Sequence, residues 1–600
     1  MLSLTAYGGV FYWFFLCLAW SLIVWKLLDL CEATSLAVEV SRDHAPLLLA
    51  LAIVAARWPT IFVHAELNPD ESQLFAGALG LMHDPVPWRG ADNTTSGPLN
   101  SYVLIPLILL GLDSAYAAAR IISVLLLIVS TSCWYLTVKA VRGSLVALSL
   151  SLPFVAWLCF VGAYDLLSTP DFAHYSSELL PIALLSVAVW TLNHFKRAPI
   201  AAPALGGFAL GCVPFAKLQA APLASFVSAA LAVYILVKRR RHLGSLIALI
   251  ACGAVMPLLI ALPLLLTRTV EDAWRSYVIS ALDISVRPLS MSEFASYAVG
   301  FPSLNWAFAA LAVIALGNFS TRYFRDRVLR HERVLLFGVT GYAIIAVLAI
   351  SKAGNPWGHY LLFLLHPGIL LAGVMSAPSG TATLWQRSLH AVANLIKRSK
   401  LSSLGLAFGF ACSAALLLMF LIRAPEAVRL RLRHPDPIVR ILEPIIRTDD
   451  HIAVWGYMPK YYALTRTRPS TREAITQFQA WNGPQQAYYR KRYMSDLRRQ
   501  PPNVFVDASG EGNFSFIFEH HPQVRIEEFK ELDEFIQEHY VLLLDIRPCE
   551  TPETRVFVSR DRLNELGIGP DKLIEMPTCI DSAKALERTL RLLNRNGRID

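Results

Sequence analysis

About twelve runs of roughly 20 apolar residues recur along this chain, a pattern that fits helices crossing a bilayer and little else. They fall at 7–30, 45–63, 115–138, 144–163, 176–193, 201–216, 220–237, 243–266, 296–317, 333–351, 359–376 and 402–422. Within lipid a helix satisfies every backbone polar group inside its own segment. Composition agrees: 55% of the 600 residues are hydrophobic and only 16% are charged, where soluble domains carry about a quarter. The first run lacks a basic stretch ahead of it and a clean cleavage site, so it reads as a membrane helix rather than a signal peptide. The run 99–112 is too short to span. Lying between Pro98 and Gly111, it reads as an interfacial or half-inserted helix.

The net charge of +9 invites a nucleic-acid reading, but the basic residues gather in short loops between apolar runs. Loops 139–142, 196–197, 238–242, 322–333 and 387–400 are rich in Lys and Arg. All five fall on one side if the twelve spans alternate, and the positive-inside rule makes that side cytoplasmic. The opposite side then receives 64–114, 164–175, 217–219, 267–295, 352–358 and everything after Arg423. From 424 the composition turns polar, with strand-like runs at 451–455, 503–507, 540–545 and 555–559 and helical patterns at 471–499 and 581–594. The expected organisation is therefore a transmembrane domain over 1–423, with a first extracytoplasmic loop at 64–114, followed by an extracytoplasmic α/β domain over 424–600. The chain is expected in the cytoplasmic (inner) membrane as a multi-pass protein. Of nine cysteines, only Cys549 and Cys579 fall in the polar part, where an oxidising compartment would permit a disulfide.

The most unusual stretch is the start of that first loop, Glu66-Leu67-Asn68-Pro69-Asp70-Glu71-Ser72. Two adjacent carboxylates, Asp70 and Glu71, stand where a membrane helix meets water. Asp92 follows in the same loop, with Arg89 nearby. The other outward segments supply His174 and Glu178, Lys217, Arg275, and His359 with Tyr360. Carboxylates beside cations suit transfer of a group from a phosphate. A carboxylate takes the acceptor's proton, and Lys, Arg and His neutralise charge growing on the departing phosphate. Plainer roles stand beside each of these. Asp70 and Glu71 suit the first turn of a helix, Asp92 suits a turn, and Lys217 suits a snorkelling side chain. Arg275 stands one helical turn from Glu271. The Trp residues at 88, 274, 306 and 357 read as an interfacial belt. Metal need stays open: the acidic loop offers oxygen ligands for a divalent ion, and no His or Cys cluster demands one.

The pattern Asn68-Pro69-Asp70-Glu71, with Asp92 and then Gly97-Pro98-Leu99-Asn100-Ser101-Tyr102, resembles the first extracytoplasmic loop of the GT-C polyprenyl-phosphate-dependent glycosyltransferases. These are the protein O-mannosyltransferase and lipid A aminoarabinose transferase group. His359-Tyr360-Leu361-Leu362 followed by Pro367 resembles their late motif at the same membrane edge. The stretch from Val454-Trp455-Gly456 to Thr471-Arg472, and Pro501-Pro502-Asn503-Val504, resemble the C-terminal domain of bacterial relatives. The resemblance implies a catalytic base at Asp70, with Glu71 and Asp92 as further acidic candidates. It implies donor-phosphate contacts from Lys217, Arg275, His359 and Tyr360, and acceptor or sugar contacts from His174, Glu178 and Arg89. Many relatives place Lys-Pro after the second acidic residue, where this chain has Ser96-Gly97-Pro98, which shifts weight onto Lys217, Arg275 and His359.

Two functions follow from different classes. One is an inverting glycosyltransferase that moves a hexosyl or pentosyl group from a polyprenyl-phosphate sugar to a lipid, polysaccharide or protein acceptor in the cell envelope. The other is a lipid-linked sugar transporter or flippase, which predicts midplane charges and two related halves. The sequence has no such repeat, and its charges sit at an edge. Neither function involves nucleic acid.

Overall fold

The computed structural model describes part of 16–30, then residues 43–61, 65–112, 115–164, 172–238, 243–284, 288–319, 333–354, 357–379, 383–398, 436–447, 449–510, 525–546, 554–567 and 574–575. The expected span at 402–422, the boundary at 423/424, the helical pattern at 581–594, and Cys549 and Cys579 lie outside the described residues. So does most of the first run.

The helices follow the apolar runs. In chain order they are α1 (Ala45–Ile61), α2 (Pro69–His83), α3 (Ala115–Arg142), α4 (Ser144–Tyr164), α5 (Leu179–Thr191), α6 (Ala201–Ala216), α7 (Ala221–Lys238), α8 (Leu243–Thr267), α9 (Met291–Val299), α10 (Pro302–Gly317), α11 (Arg333–Lys352), α12 (Leu365–Met375) and α13 (Leu384–Arg398). Among the described residues five helical stretches are singly long and apolar enough to cross a membrane: Tyr116–Arg142, Leu218–Val237, Leu243–Thr267, Val334–Lys352 and Gly358–Met375. The chain is a multi-pass membrane protein. Several of the other expected spans are shorter apolar helices, such as Leu179–His194 and Ala201–Ala216. The run expected at 296–317 is not one straight span. It breaks between α9 and α10 with a 97° bend, at Gly300-Phe301-Pro302, where Pro302 opens a new helix as a first-turn residue.

The chain divides into two compact units. The first comprises Met1–Val63, Arg120–Ala261 and Ile284–Leu430. Its helices approach closely where side chains are small. A Cβ on Gly207 of α6 would lie 2.1 Å from the Leu249 carbonyl oxygen of α8, so the two backbones touch only because glycine stands there, the usual device for packing helices in lipid. Along the first unit's part of α8, Ile247, Ile250, Leu258 and Leu259 stay exposed, a face for lipid rather than protein.

The second unit comprises His64–Ala119, Leu262–Asp283 and Arg431–Asp600. Its centre is a six-stranded sheet: β1 (His451–Gly456), β2 (Arg468–Pro469), β3 (Val504–Ala508), β4 (Tyr540–Ile546), β5 (Thr554–Ser559) and β6 (Ile574–Glu575), in the order β2-β1-β3-β5-β4-β6. β1 runs parallel to β2 and β3, and β5 runs antiparallel to β3 and β4. Alternation splits the core into two layers. Ile452, Val454, Val504, Val506, Val556 and Val558 face one side. Ala453, Trp455, Phe505 and Phe557 face the other, against Tyr493 and Leu497 of α14 (Gln486–Arg499) and Leu532 and Ile536 of α15 (Lys530–His539). The four strands expected from sequence are present within about a residue. The run 99–112 forms two short helices, Leu99–Tyr102 and Ile105–Leu109, with Leu109 and Leu110 exposed.

Candidate functional site

The first unit gathers five of the expected site residues. His174, Ser177 and Glu178 lie just ahead of α5, Lys217 ends α6 in extended backbone, and His359 and Tyr360 sit on the 3-10 turn Gly358–Leu364. Lys217 is 4% exposed and Glu178 0%. The Lys217 ammonium meets the Glu178 carboxylate at 2.6 Å, donates to Ser177 Oγ at 2.6 Å, and lies 5.1 Å from the Tyr360 ring centre. The His174 and His359 rings stand edge to face at 5.7 Å, and His359 meets Tyr360 the same way at 4.9 Å. So segments far apart in sequence bring one buried carboxylate, one ammonium, two imidazoles and a phenol together. Lys217 is no snorkelling residue: its charge is buried and paired. Ser177 was not singled out in the sequence, where one serine beside another carries no signal.

The second unit holds the other five. Asp70 and Glu71 occupy the first turn of α2. Asn68 caps that helix by accepting from the Asp70 amide at 3.0 Å, Pro69 fills its first position, and Glu71 reaches back to the Leu67 amide at 2.8 Å. Glu71 and Ser72 are buried, whereas Asp70 is half-buried. Nearby, burial pushes the Glu66 carboxyl up to about 7, with Ser72 and Lys460 pulling the other way. Arg89 forms a two-pronged pair with Asp84 at 2.6 and 2.7 Å. Burial would raise the Asp84 carboxyl, but the Arg89 hydrogen bond and charge, the Val86 amide and the Arg499 charge together outweigh it and hold the pKa below the usual value. Arg275 pairs with Glu271 at 2.9 Å on the surface, the plainer role named for it above. Trp88, expected in an interfacial belt, is buried instead, its ring 5.3 Å from Tyr277. Trp274 and Trp306 are exposed.

Asp92 is buried in an ionic cluster that the sequence did not reveal. Its Oδ2 accepts from Arg492 Nη2 at 2.5 Å and from the Ser276 hydroxyl, and its Oδ1 accepts from the Thr94 amide at 2.9 Å. Arg492 also donates to Glu473 through Nε at 2.8 Å and to Tyr488 OH at 3.0 Å. Arg472 grips Asp496 with two prongs, at 2.8 and 2.9 Å, and donates to Asp272 at 2.9 Å and to the Trp88 carbonyl at 3.0 Å. Burial pushes the Glu473 carboxyl up to about 7; Arg492 opposes this and Asp92 adds to it. Arg472 lies inside a motif quoted above, but nothing in that motif assigns it a partner.

No protein-family model matches the sequence, and none of the curated proteins matches it either. Among solved structures, the chain is similar to a crystal structure of ArnT from Cupriavidus metallidurans bound to undecaprenyl phosphate. The TM-score is 0.52 at 11% identity, over 85% of this chain and 97% of that one. This chain shares the fold of that ArnT structure. The GT-C resemblance read from the Asn68–Glu71 and His359–Leu362 motifs and the fold found here agree. Apo ArnT from the same organism is similar with a TM-score of 0.47 at 13% identity, over the same shares of the two chains. The archaeal oligosaccharyltransferase AglB from Archaeoglobus fulgidus, in complex with an inhibitory peptide and a dolichol-phosphate, gives 0.36 at 12% identity over 77% of this chain and 69% of that one.

Proposed function

We propose that this chain is an inverting glycosyltransferase that takes a sugar from a polyprenyl-phosphate donor and passes it to a lipid, polysaccharide or protein acceptor at the outer face of the cytoplasmic membrane. The single observation that carries this reading is the extent of the shared GT-C fold, nearly the whole length of an ArnT chain whose structure holds undecaprenyl phosphate. The five basic loops support the outer face, and with it an extracytoplasmic C-terminal domain.

An acceptor hydroxyl or amine attacks the sugar's anomeric carbon and gives its proton to Asp70. The bond from that carbon to the phosphate oxygen breaks, and its electron pair leaves with the polyprenyl phosphate. Lys217, His359 and Tyr360 are the groups suited to hold that phosphate, since they pair an ammonium with an imidazole and a phenol among buried side chains, where each interaction with an anion is stronger than in water. Glu178 fixes the Lys217 side chain in place. Arg275, on the surface with its own carboxylate, is a poorer candidate. Asp92, with both oxygens engaged, is suited to holding the loop rather than to taking a proton.

The test is donor choice. Protein purified in detergent is incubated, in the presence of envelope lipid, polysaccharide and peptide acceptors, with a panel of polyprenyl-phosphate sugars and, separately, with sugar nucleotides. The expected result is consumption of one or more polyprenyl-phosphate sugars, with release of polyprenyl phosphate, and no consumption of sugar nucleotides. Turnover of sugar nucleotides alone would contradict the proposal.

A further inference from the structure

We propose that Arg492 is a positioning residue for the acidic first loop: through Asp92 it pins residues 84–101 to the sheet domain and thereby fixes where the Asp70–Glu71 turn stands. The inference takes its functional meaning from the reading of Asp70 as the base, but the pinning stands on geometry alone.

Arg492 is itself rigidly placed. Helix α14 buries Tyr489, Arg492 and Asp496, which share one side of the helix at three- and four-residue spacings. The Arg492 guanidinium lies 5.0 Å from the Tyr488 ring centre and 4.8 Å from that of Tyr489. Tyr489 OH in turn donates to Ser276 Oγ at 3.0 Å, and Ser276 donates to Asp92. The loop also joins the domain through its backbone, where the Asp92 amide donates to the Arg472 carbonyl at 2.7 Å. Asp92 is thus held by one guanidinium nitrogen, a hydroxyl and a main-chain bond, from two segments remote in sequence.

From Asp92 the hold passes to α2 in two further steps. Gln73 Nε2 donates to the Asn93 carbonyl at 3.1 Å. Asn93 Nδ2 donates to Ser101 Oγ at 2.8 Å, and that hydroxyl donates to the Leu74 carbonyl at 2.7 Å. Gln73 and Leu74 lie one helical turn from Asp70, so the helix that carries the acidic pair cannot shift without breaking bonds that end on Asp92 and Arg492. A lysine at 492 would keep the charge but lose the fork that serves Asp92 and Glu473 together.

Hydrogen exchange of the full-length protein in detergent tests the pinning without any substrate. In Arg492→Gln, peptides covering 84–101 and the first turns of α2 are expected to exchange roughly tenfold faster or more, while those of β1 and β3 keep their protection. Arg492→Lys is expected to fall between, and it carries the test if the Gln variant does not fold. Combining Arg492→Gln with Asp92→Asn is expected to add little beyond either alone, because both break the same link. Unchanged exchange at 84–101, or fully additive effects of the two substitutions, would overturn the inference. With a donor that the wild type consumes, Arg492→Lys is expected to lower kcat more than it raises the donor KM. If the wild type consumes no donor while the loop still loosens, the proposed reaction fails and the pinning survives.

Discussion

Lys217 is a buried cation whose stability depends on Glu178. Replacing it with Met leaves that carboxylate buried without its ion partner, which typically costs about 3–5 kcal/mol. Thermal unfolding in detergent is expected to show a clear fall in Tm for Lys217→Met. Adding Glu178→Gln is expected to recover much of that loss, while binding of a polyprenyl phosphate stays weak. Recovery of binding along with stability would make the ammonium a purely structural group. Glu473 gives a second prediction, through pH. Its carboxyl is pushed up to about 7 from 4.5, so the folded state favours the protonated form. That contribution to stability is complete below about pH 4.5 and is lost as pH rises through 7. The wild type is therefore expected to lose Tm between pH 5.5 and 7.5 relative to Glu473→Gln, which has no proton to release. A parallel pH dependence in the two proteins would show that Glu473 does not titrate in this range.

Helix α2 carries the acidic pair and also a very close approach at Gly77. A Cβ on Gly77 would lie 2.2 Å from Asn93 Oδ1 and 2.7 Å from Ser101 Oγ, and both groups are held by the bonds that join the loop to the helix. Alanine is the better helix former by about 1 kcal/mol, yet overpacking at a fixed contact costs about 1–3 kcal/mol. Gly77→Ala is accordingly expected to lower Tm rather than raise it, with faster hydrogen exchange at 92–101. Elements of this kind were partly legible. The apolar run 243–266 became α8, and the alternating runs at 451–455 and 555–559 became β1 and β5, because burial on a helix or a sheet face leaves a periodic mark on the sequence. The partners of Asp92 left no such mark. Arg492 is one cation among several on α14, at positions 490, 491, 498 and 499. Only its burial one turn after Tyr489, against Asp92 and Glu473, separates it from them, and that follows only once the fold is known. The break between α9 and α10 was hidden for a similar reason, since hydropathy averaged over a span does not register a single bend at Gly300–Pro302.

At the scale of the whole molecule, the positive-inside reading commits the first loop and the sheet domain to the side away from the basic loops. His83 and Ser388 are both exposed, one at the end of α2 and one in the basic stretch of α13. A cysteine placed at 83 is expected to react with a membrane-impermeant maleimide added to intact cells stripped of any outer barrier. A cysteine at 388 is expected to react only after the membrane is opened. The reverse pattern would put the acidic loop in the cytosol and remove the basis for an outer-face reaction. What the sequence left open, the sugar and the acceptor, depends on the shape of a binding site rather than on periodicity, and no motif in the chain encodes it.

The central claim is that Asp70 takes the acceptor's proton during sugar transfer, and single-turnover transfer from a consumed polyprenyl-phosphate sugar measures it most directly. Asp70→Asn keeps the shape of the side chain and is expected to leave Tm and donor affinity close to wild type while slowing transfer by about 100-fold or more, the usual contribution of a general base. Transfer at the wild-type rate in Asp70→Asn would contradict it.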